Sequence, residues 1–320
     1  MLAPLKEKIL SGGSISKNEA LQMASLSGTA LFELFAHASF LRERLRGKKI
    51  DLCAIVNAKS GACPEDCAYC AQSAGAKAGA KTYPLLAKVL LLDAAKRARD
   101  AGAKRFCIVT SGRKPSTGEL GRIASAITEI RKLGLLPCAT LGLIEYDALV
   151  FLREAGLERY HHNLETSETF FPNVCTTHSY REKLKTIHAV KKAGLSLCAG
   201  GIFGLGESWE DRVDMALLLR ELGADSVPIN FLIPVRGTGL GERGTLPPFE
   251  ALKVISLYRS ILPDKEIRVC GGRLQCLGEF NSFVFMAGAD GLLTGDYLTR
   301  EGVNPEADLK LIREYGLQAG

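Results

Sequence analysis

The sequence predicts an α/β protein, a (β/α)8 TIM-type barrel preceded by an N-terminal helical extension. Short apolar segments with the length of buried strands alternate along the chain with longer amphipathic segments. Eight strand-like segments follow residue 48, which is the strand number of such a barrel. The amphipathic segments between them end in Gly or Gly-Ala, the usual helix stop before a following strand. An open, doubly wound sheet is the alternative arrangement of the same elements.

The first 48 residues are predicted to form the helical extension, and residues 49–320 the barrel. Residues 16–19 read Ser-Lys-Asn-Glu, the pattern of a helix-capping box, and residues 30–45 repeat apolar side chains at helical spacing. The predicted strands are Asp51–Asn57, Lys104–Thr110, Leu135–Leu141, Glu158–Asn163, Ser196–Phe203, Ser226–Ile233, Ile267–Cys270 and Gly291–Thr294. In such a barrel the active site is expected at the C-terminal ends of the strands.

The composition is that of an ordinary globular protein and argues against several classes of function. Of the 320 residues 47% are hydrophobic, and the formal net charge of +6 is spread along the chain without a dense Lys/Arg run, so nucleic acid is not an expected partner. No apolar segment approaches the roughly 20 residues of a membrane span, and the N-terminus lacks a signal-peptide pattern. We therefore expect a cytoplasmic protein without a membrane partner. Its ten cysteines are then expected to be reduced and to bind metal rather than to form disulfides.

Three of these cysteines lie close together in the loop after the first predicted strand. Cys63, Cys67 and Cys70 fall within eight residues, and Cys thiolates are the ligands that iron–sulfur clusters require. Three thiolates can hold a four-iron cluster while leaving one iron free to bind a small molecule. Zinc, completed by His161 or His162, and chance clustering are the alternatives. Zinc is less favoured because its sites usually present C-x2-C pairs, and no second pair is present.

Further cysteines lie within the predicted strands. Cys107, Cys138 and Cys198 fall in the second, third and fifth strands. Each alone is more simply a small core residue. Three on different strands of one barrel can converge on its axis and share a metal. Cys53, on the first strand, can face the same interior.

The loop sequence resembles a known family. The spacing C-x3-C-x2-C, with an aromatic residue before the last Cys, resembles the signature of radical S-adenosylmethionine (SAM) enzymes. The wider segment GACPEDCAYCAQS, residues 61–73, resembles the biotin synthase family. The resemblance covers nearly the whole chain after residue 50 and continues in TSGRKP (110–115), YHHNLETS (160–167), CAGGIFGLGES (198–208), SVPINFL (226–232) and IRVCGGR (267–273).

The resemblance implies a radical SAM sulfurtransferase that converts dethiobiotin to biotin. SAM is expected to bind the open iron of a [4Fe-4S] cluster and, after one-electron reduction, to give a radical that removes hydrogen from dethiobiotin. An auxiliary cluster is expected to donate the sulfur. The resemblance also implies a homodimer and an electron donor of the flavodoxin or ferredoxin type.

The same resemblance assigns ligands to the auxiliary cluster. Cys107, Cys138 and Cys198 are implied as three ligands of a [2Fe-2S] cluster, with Arg268 as the fourth. By the two-residue period of a strand, Cys270 should face the same side as Arg268, and iron is expected to prefer a thiolate to a guanidinium. Either Cys270 or Cys53 is therefore an alternative fourth ligand, and a larger four-iron cluster is the alternative to the two-iron type.

Residues for SAM and substrate are implied in the same way. Glycines at the end of the fifth strand are expected to let the backbone approach SAM closely. The residues expected to bind SAM are Tyr69, Asn163, Glu165, Lys183, Gly200, Gly201, Ile202 and Gly204. The residues expected to contact dethiobiotin are Asn163, Asn230, Thr299 and Arg300. Asn163, which can bridge SAM and substrate, and Arg268 are the expected catalytic residues. Glu165 stands where the family pattern has Asp, which moves its carboxylate by one methylene.

Three other functions use parts of this pattern. A related radical SAM enzyme, such as a hydrogenase-cofactor maturase or a carbon-skeleton isomerase, need not carry Cys107, Cys138 and Cys198 together. A zinc-dependent barrel enzyme would be colourless and would tolerate air. A non-enzymatic cluster carrier would have no use for the Gly-rich strand end or for Asn163.

Overall fold

The computed structural model describes residues 1–299 and 302–320 and contains the predicted alternation of strands and helices. The strands are β1 (Lys49–Lys59), β2 (Arg105–Thr110), β3 (Leu136–Thr140), β4 (Arg159–His161), β5 (Ser196–Cys198), β6 (Gly201–Phe203), β7 (Ser226–Phe231), β8 (Glu266–Val269), β9 (Gly291–Leu293) and β10 (Gln318–Ala319). The helices are α1 (Leu2–Leu10), α2 (Lys17–Ala24), α3 (Thr29–Arg46), α4 (Lys88–Asp100), α5 (Thr117–Lys132), α6 (Tyr146–Glu154), α7 (Tyr180–Lys192), α8 (Trp209–Glu221), α9 (Pro248–Ile261), α10 (Arg273–Leu277) and α11 (Pro305–Glu314).

The strands close into a parallel barrel. The order is β1, β2, β3, β4, β5, β7, β8 and β9, and β9 pairs again with β1 through Asp51 and Gly291. The fifth predicted strand is divided into β5 and β6, which both pair with β7 and so share one barrel position. Eight positions are therefore closed into a ring. The predicted (β/α)8 barrel is confirmed, and the open doubly wound alternative is wrong.

Helix-capping sequences explain where several helices begin. The predicted capping box of α2 forms, with the Ser16 amide donating to Glu19 Oε2 at 2.8 Å and the Glu19 amide donating to Ser16 Oγ at 3.3 Å. The same reciprocal arrangement begins α5, α7 and α8 at Ser116, Ser179 and Ser208. Each box satisfies amide groups that have no partner inside the helix.

The N-terminal helices lie on the outside of the barrel, against α8 and α9. Phe35 of α3 stacks on Phe249 of α9 with ring centroids 6.4 Å apart. Arg220 of α8 donates to the Ile15 carbonyl at 2.8 Å. The division of the chain at residue 48 into a helical extension and a barrel domain stays a prediction. Among the helices of the described residues, none combines the length and the hydrophobicity that a membrane crossing requires.

The C-terminal part of the chain contacts both ends of the barrel. The short strand β10 pairs with the start of β1, where Lys49 lies opposite Gln318. Residues 297–299 lie at the opposite end, among the residues that line the central cavity. There the Leu298 carbonyl accepts from Asn57 Nδ2 at 2.9 Å, and Tyr297 Oη donates to the Cys270 carbonyl at 3.4 Å. These contacts place the segment across the C-terminal ends of the strands.

Candidate active site

A cavity of about 450 Å³ opens at the C-terminal ends of the barrel strands. This volume is in the usual range of small-molecule sites. Eight of the ten cysteines line it, namely Cys53, Cys63, Cys67, Cys70, Cys107, Cys138, Cys198 and Cys270. All ten cysteines of the chain are free thiols. The cysteines are thus concentrated where a ligand can bind, which fits metal ligation rather than a disulfide framework.

The loop that carries Cys63, Cys67 and Cys70 is held in place by its own backbone. The chain turns sharply after β1, with positive φ at Gly61 (71°) and Ala62 (47°). The Cys63 amide donates to the Gln72 carbonyl at 3.1 Å, and the Ala74 amide donates to the Cys63 carbonyl at 2.7 Å. The buried Gln72 side chain accepts from the Gly61 amide at 3.2 Å. These bonds fix the loop before any ligand is bound.

The three loop thiols are not gathered around one point as in a preformed single-ion site. Within the described residues, their sulfur atoms do not form a group in which all lie within 4.8 Å of one another. A single tetrahedral ion would need them that close, because zinc–sulfur bonds are about 2.3 Å long. Burial raises the pKa of the Cys67 and Cys70 thiols, so a metal must displace their protons when it binds.

A row of hydrogen-bonded side chains crosses the ends of β3 and β4. Thr140 Oγ1 lies 2.7 Å from His161 Nδ1, and His161 Nε2 lies 2.8 Å from Asn163 Oδ1. Asn163 Nδ2 continues the row by donating to Glu165 Oε2 at 3.3 Å. Burial lowers the pKa of His161, so its ring is neutral near pH 7. The row fixes the orientation of the Asn163 amide at the cavity wall.

Glu165 and its neighbours form the part of the wall nearest the cysteine loop. Glu165 has a φ of 74°, which is unusual for a residue with a side chain. The Tyr69 phenol lies next to the Glu165 carboxylate. Burial, and after it this carboxylate, raises the pKa of Tyr69 well above its ordinary value. Lys183 of α7 is buried and donates to the Asn163 carbonyl at 3.0 Å. The structure thus brings Tyr69, Asn163, Glu165 and Lys183 together.

The glycines that follow β5 are packed closely against neighbouring segments. A Cβ atom on Gly200 would overlap the Pro228 carbonyl, and one on Gly201 would overlap the Glu165 carbonyl. Gly204 has a φ of 96° and faces Leu232 and Leu246. None of the three belongs to the cavity lining, whereas Ile202 does. The tight packing explains why these positions need glycine, and their expected role in letting the backbone approach SAM stays a prediction.

The strand thiols gather in the interior of the barrel. Cys107 and Cys138 lie opposite each other on β2 and β3, and both pack with Cys53 and Cys270 in one cluster. Cys198 of β5 lines the cavity beside them. Burial raises the pKa of Cys53 and of Cys198 to about 12. Both thiols considered as alternative ligands, Cys53 and Cys270, thus face the interior.

A layer of buried charges borders these thiols. Arg268 donates to Asp51 Oδ1 at 2.6 Å and to Glu266, and Arg159 donates to Glu266 Oε2 at 3.2 Å. Burial alone would lower the pKa of Arg268, but Glu266 and Asp51 raise it well above its ordinary value. Its guanidinium is therefore a firmly charged group bound to two carboxylates. Arg105 and Arg159 line the same cavity, so cationic groups lie beside thiols that burial keeps protonated until a metal displaces their protons.

The remaining predicted residues lie around the mouth of the cavity. Asn230 donates to the Gly201 carbonyl at 3.2 Å and accepts from the Gly271 amide at 3.1 Å. Thr299 lines the cavity and is exposed. Arg300 lies outside the described residues. In the part of the chain that the structure describes, neither His161 nor His162 belongs to a group of three metal-ligating atoms, so the zinc alternative through them has no support.

The sequence analysis missed the buried charges and a second group of ligating side chains. Arg105, Arg159 and Glu266 are charged first residues of buried strands, and charged residues at such positions are a signal that could have found them. Cys175 and His178 were also missed. They lie beside Cys67, and their C-x2-H spacing is a weak metal-site signal in the sequence.

Comparison with known proteins agrees with this geometry. Residues 58–219 match the Radical SAM superfamily, and residues 228–318 match the Biotin and Thiamin Synthesis associated domain. Methylornithine synthase has the same fold, with a TM-score of 0.84 at 18% identity over 99% of this chain and 97% of that one. The FeFe-hydrogenase maturase from Carboxydothermus hydrogenoformans gives a TM-score of 0.83 at 17% identity over 100% of this chain and 79% of that one. The chain is thus a radical SAM enzyme by fold and by its cysteine loop.

Sequence relatives define the family more narrowly. Biotin synthase of Thermodesulfovibrio yellowstonii is 54% identical over 288 residues, which cover 90% of this chain and 91% of the relative. Biotin synthase of Geobacter sulfurreducens is 49% identical and covers 98% of this chain and 96% of its own length. The chain belongs to the biotin synthase family, as the resemblance predicted. This membership makes it a radical SAM sulfurtransferase and implies SAM and a [4Fe-4S] cluster as cofactors.

Proposed function

We propose that the central cavity is where this chain converts dethiobiotin to biotin, with one iron–sulfur cluster at the loop and a second one in the barrel interior. One observation carries the proposal: the three loop thiols and the five strand thiols open onto the same cavity of about 450 Å³. A substrate in this space would lie between the two groups of thiols. The walls of the barrel would keep water away from the reacting atoms.

The loop is proposed to hold the [4Fe-4S] cluster through Cys63, Cys67 and Cys70. The donor set fits, since thiolates are the preferred ligands of such clusters and all three thiols line the cavity. When bound, this cluster and SAM supply the hydrogen-abstracting radical that no protein side chain can provide. The loop's own hydrogen bonds hold the ligands in position.

SAM is proposed to lie between the cysteine loop and the ends of β4 and β6. Tyr69 and Ile202 offer apolar surface for the adenine, and both line the cavity. Asn163 and Glu165 offer an amide and a carboxylate for the ribose hydroxyls. Lys183 contributes positive charge for the SAM carboxylate from its buried position. Gly200, Gly201 and Gly204 are proposed to let the backbone beside Ile202 approach SAM closely.

Dethiobiotin is proposed to bind deeper in the cavity with its carboxylate toward the mouth. Asn163 and Asn230 can hydrogen-bond its cyclic urea, and both side chains are held by protein contacts. Thr299 and Arg300 are proposed to meet the carboxylate. Arg300 is proposed from the sequence alone.

The auxiliary cluster is proposed to bind Cys107, Cys138 and Cys198, with Arg268 as the fourth ligand of a two-iron cluster. Cys107 and Cys138 lie opposite each other on adjacent strands, which supports a shared metal. Arg268 is already bound to Asp51 and Glu266. The Cys53 and Cys270 thiols face the same interior and are the other candidates for the fourth position. A four-iron cluster with one of these thiols is the competing assignment.

Iron and sulfide counting separates the two assignments. Cys53→Ser and Cys270→Ser proteins, prepared without oxygen, should keep the wild-type iron content if Arg268 is the fourth ligand. A loss of iron in either variant, with Cys276→Ser unchanged as a control, would instead assign the fourth position to a thiol.

The activity itself is tested by anaerobic reconstitution. The chain is loaded with iron and sulfide and incubated with SAM, a reductant and dethiobiotin. Formation of both 5′-deoxyadenosine and biotin is expected. Absence of both products would contradict the proposed function.

We also propose a homodimer that works in the cytoplasm with a flavodoxin- or ferredoxin-type electron donor. Family membership supports this proposal. Light scattering on the loaded protein should give twice the 34.5 kDa mass of the chain. Reduced flavodoxin or ferredoxin should replace the chemical reductant.

A further inference from the structure

We infer that Cys67, Cys175 and His178 form a second metal site, for one soft divalent cation such as Zn²⁺ or Fe²⁺, in the chain that lacks the loop cluster. Cys175 and His178 lie just before α7, against the outer side of the cysteine loop. In the part of the chain that the structure describes, these three residues are the group whose ligand atoms all lie within 4.8 Å of one another.

The distances within this group fit a tetrahedral ion. Cys67 Sγ lies 3.8 Å from Cys175 Sγ, and two thiolates on one zinc ion, each about 2.3 Å from the metal, are separated by about 3.8 Å. His178 Nδ1 lies 3.2 Å from Cys175 Sγ, close to the roughly 3.5 Å expected for a sulfur and a nitrogen on the same ion. Only small side-chain adjustments would then bring all three ligands onto one cation.

Carboxylates next to the group provide negative charge that favours a bound cation. Cys175 Sγ donates to Asp66 Oδ1 at 3.1 Å, and the Thr176 amide donates to the same oxygen at 2.9 Å, so the Asp66 carboxylate adds negative charge beside the group. His178 Nδ1 also contacts Glu65 Oε2 at 2.5 Å and would exchange this contact for the metal. Two thiolates and one imidazole, with a water molecule in the fourth position, form a known zinc ligand set.

The site has a consequence for assembly because it shares Cys67 with the loop. This consequence rests on the proposed loop cluster: the sulfur of Cys67 cannot complete the small-ion site and serve as a terminal cluster ligand at the same time. A soft cation bound to Cys67, Cys175 and His178 would therefore exclude the cluster. The metal bound first would decide whether the radical site can form.

The position of the metal is tested on the full-length chain with the other two loop thiols removed. The Cys63→Ser/Cys70→Ser protein keeps Cys67, Cys175 and His178. It is crystallised with Zn²⁺, and anomalous diffraction at the zinc edge locates the ion. A peak in bonding distance of Cys67 Sγ and Cys175 Sγ is expected. Zinc only at other positions would overturn the inference.

Binding in solution provides a second measurement with a matched control. Co²⁺, whose thiolate complexes absorb visible light, is titrated into the same background protein. Adding Cys175→Ser should remove one bound Co²⁺ ion or lower the affinity for it. The affinity should fall by more than the roughly 10–100-fold that loss of an outer-shell partner costs. Adding Cys276→Ser, a buried thiol away from the cavity, should change nothing. Equal binding by both variants would contradict the site, provided that circular dichroism shows both to be folded.

Competition with the cluster is tested separately in the chain with all loop cysteines. Zn²⁺ added before iron and sulfide should reduce cluster absorbance, and Cys175→Ser should need about 10-fold more Zn²⁺ for the same reduction. Equal sensitivity would overturn the proposed competition. If no cluster forms even without zinc, the proposed function of the loop is wrong. The zinc position in the crystal would still show whether Cys67, Cys175 and His178 bind a metal.

Discussion

The chain holds its two groups of cysteines in different ways. The loop thiols Cys63, Cys67 and Cys70 are half-buried on a segment fixed by its own backbone hydrogen bonds. The strand thiols are buried on five separate strand positions next to a layer of arginines and carboxylates. A loop site depends on local conformation, whereas an interior site depends on the whole barrel. Substitutions near the loop should therefore affect metal loading, and substitutions in the interior should also affect folding stability.

The largest effects are expected from removing one thiol of each group. Cys67→Ala should abolish both 5′-deoxyadenosine and biotin formation, because the loop is the proposed SAM-cleaving site. Cys138→Ala should abolish biotin formation but leave 5′-deoxyadenosine formation, since only the sulfur source would be lost. Product analysis by chromatography checks both variants, with Cys276→Ala as the control. Loss of SAM cleavage in Cys138→Ala would show that the two groups do not act separately.

The buried interior charges should contribute more to stability than an exposed ion pair on a helix surface. Glu266→Gln leaves Arg159 and Arg268 with a neutral partner in a buried position, which is expected to cost about 3–5 kcal/mol. Urea unfolding of the cluster-free chain measures this loss. Glu129→Gln, which breaks an exposed pair with Lys132, should cost no more than about 0.5 kcal/mol. Similar losses for both variants would contradict the dependence of the interior site on buried charge.

A pH effect on stability is expected from a region outside both sites. His37 of α3 is buried, and burial, with a smaller effect of Lys6, lowers its pKa to about 4. The unfolded chain takes up a proton near the ordinary pKa of about 6.5, so stability from the neutral ring is present above that pH and is lost as the pH falls toward 4. The loss should be roughly 2–3 kcal/mol. Urea unfolding between pH 7 and pH 4 measures it, and His37→Gln should flatten the profile.

A glycine substitution in the loop should reduce loading with little effect on the barrel. Gly61→Ala places a side chain at a φ of 71° and against Thr82, which costs about 1–2 kcal/mol of local strain. We expect a several-fold lower iron content at the loop and an almost unchanged urea midpoint. Gly118→Ala, in open space on α5, is the matched control and should load normally. A large shift of the urea midpoint for Gly61→Ala would remove the distinction between the two regions.

The smallest effect is expected from the row of side chains that links the regions. Thr140→Val removes the hydrogen bond to His161 Nδ1 and so loosens the orientation of Asn163. One such bond contributes about 1 kcal/mol, which corresponds to a KM for SAM raised about five-fold with kcat nearly unchanged. Steady-state kinetics would measure this. An equal fall in kcat would instead indicate that Thr140, which also contacts Cys107, acts on the interior site.

The fold could be predicted well because its signals are local. All eight strands lie where apolar segments were found, and the capping box at Ser16 forms as expected. The break between β5 and β6 was not predicted, because it depends on how Gly200 packs against Pro228 of a neighbouring strand. The short strand β10 was missed since it exists only through pairing with Lys49.

The site could be predicted only as far as its ligands are marked in the sequence. Cysteine spacing indicated the loop, and strand positions indicated the interior thiols. The contact of Arg268 with Asp51 could not be inferred, because Asp51 lies on β1 and meets Arg268 of β8 only in the closed barrel. Glu266 lies two residues before Arg268 on the same strand, so the two-residue strand period could have indicated this pair. Cys175 was missed for the same reason, since its distance from Cys67 depends on tertiary packing.

The closure of β9 onto β1 also determines when the cavity can exist during synthesis on the ribosome. About 220 residues separate Cys70 from β9, and at roughly 5–20 residues per second their translation takes on the order of 10–40 seconds. Throughout this interval the loop thiols have been synthesised, but the strands that complete the barrel around the cavity have not. The nascent chain thus exposes its metal-binding thiols to the surrounding solution well before the barrel closes around the central cavity.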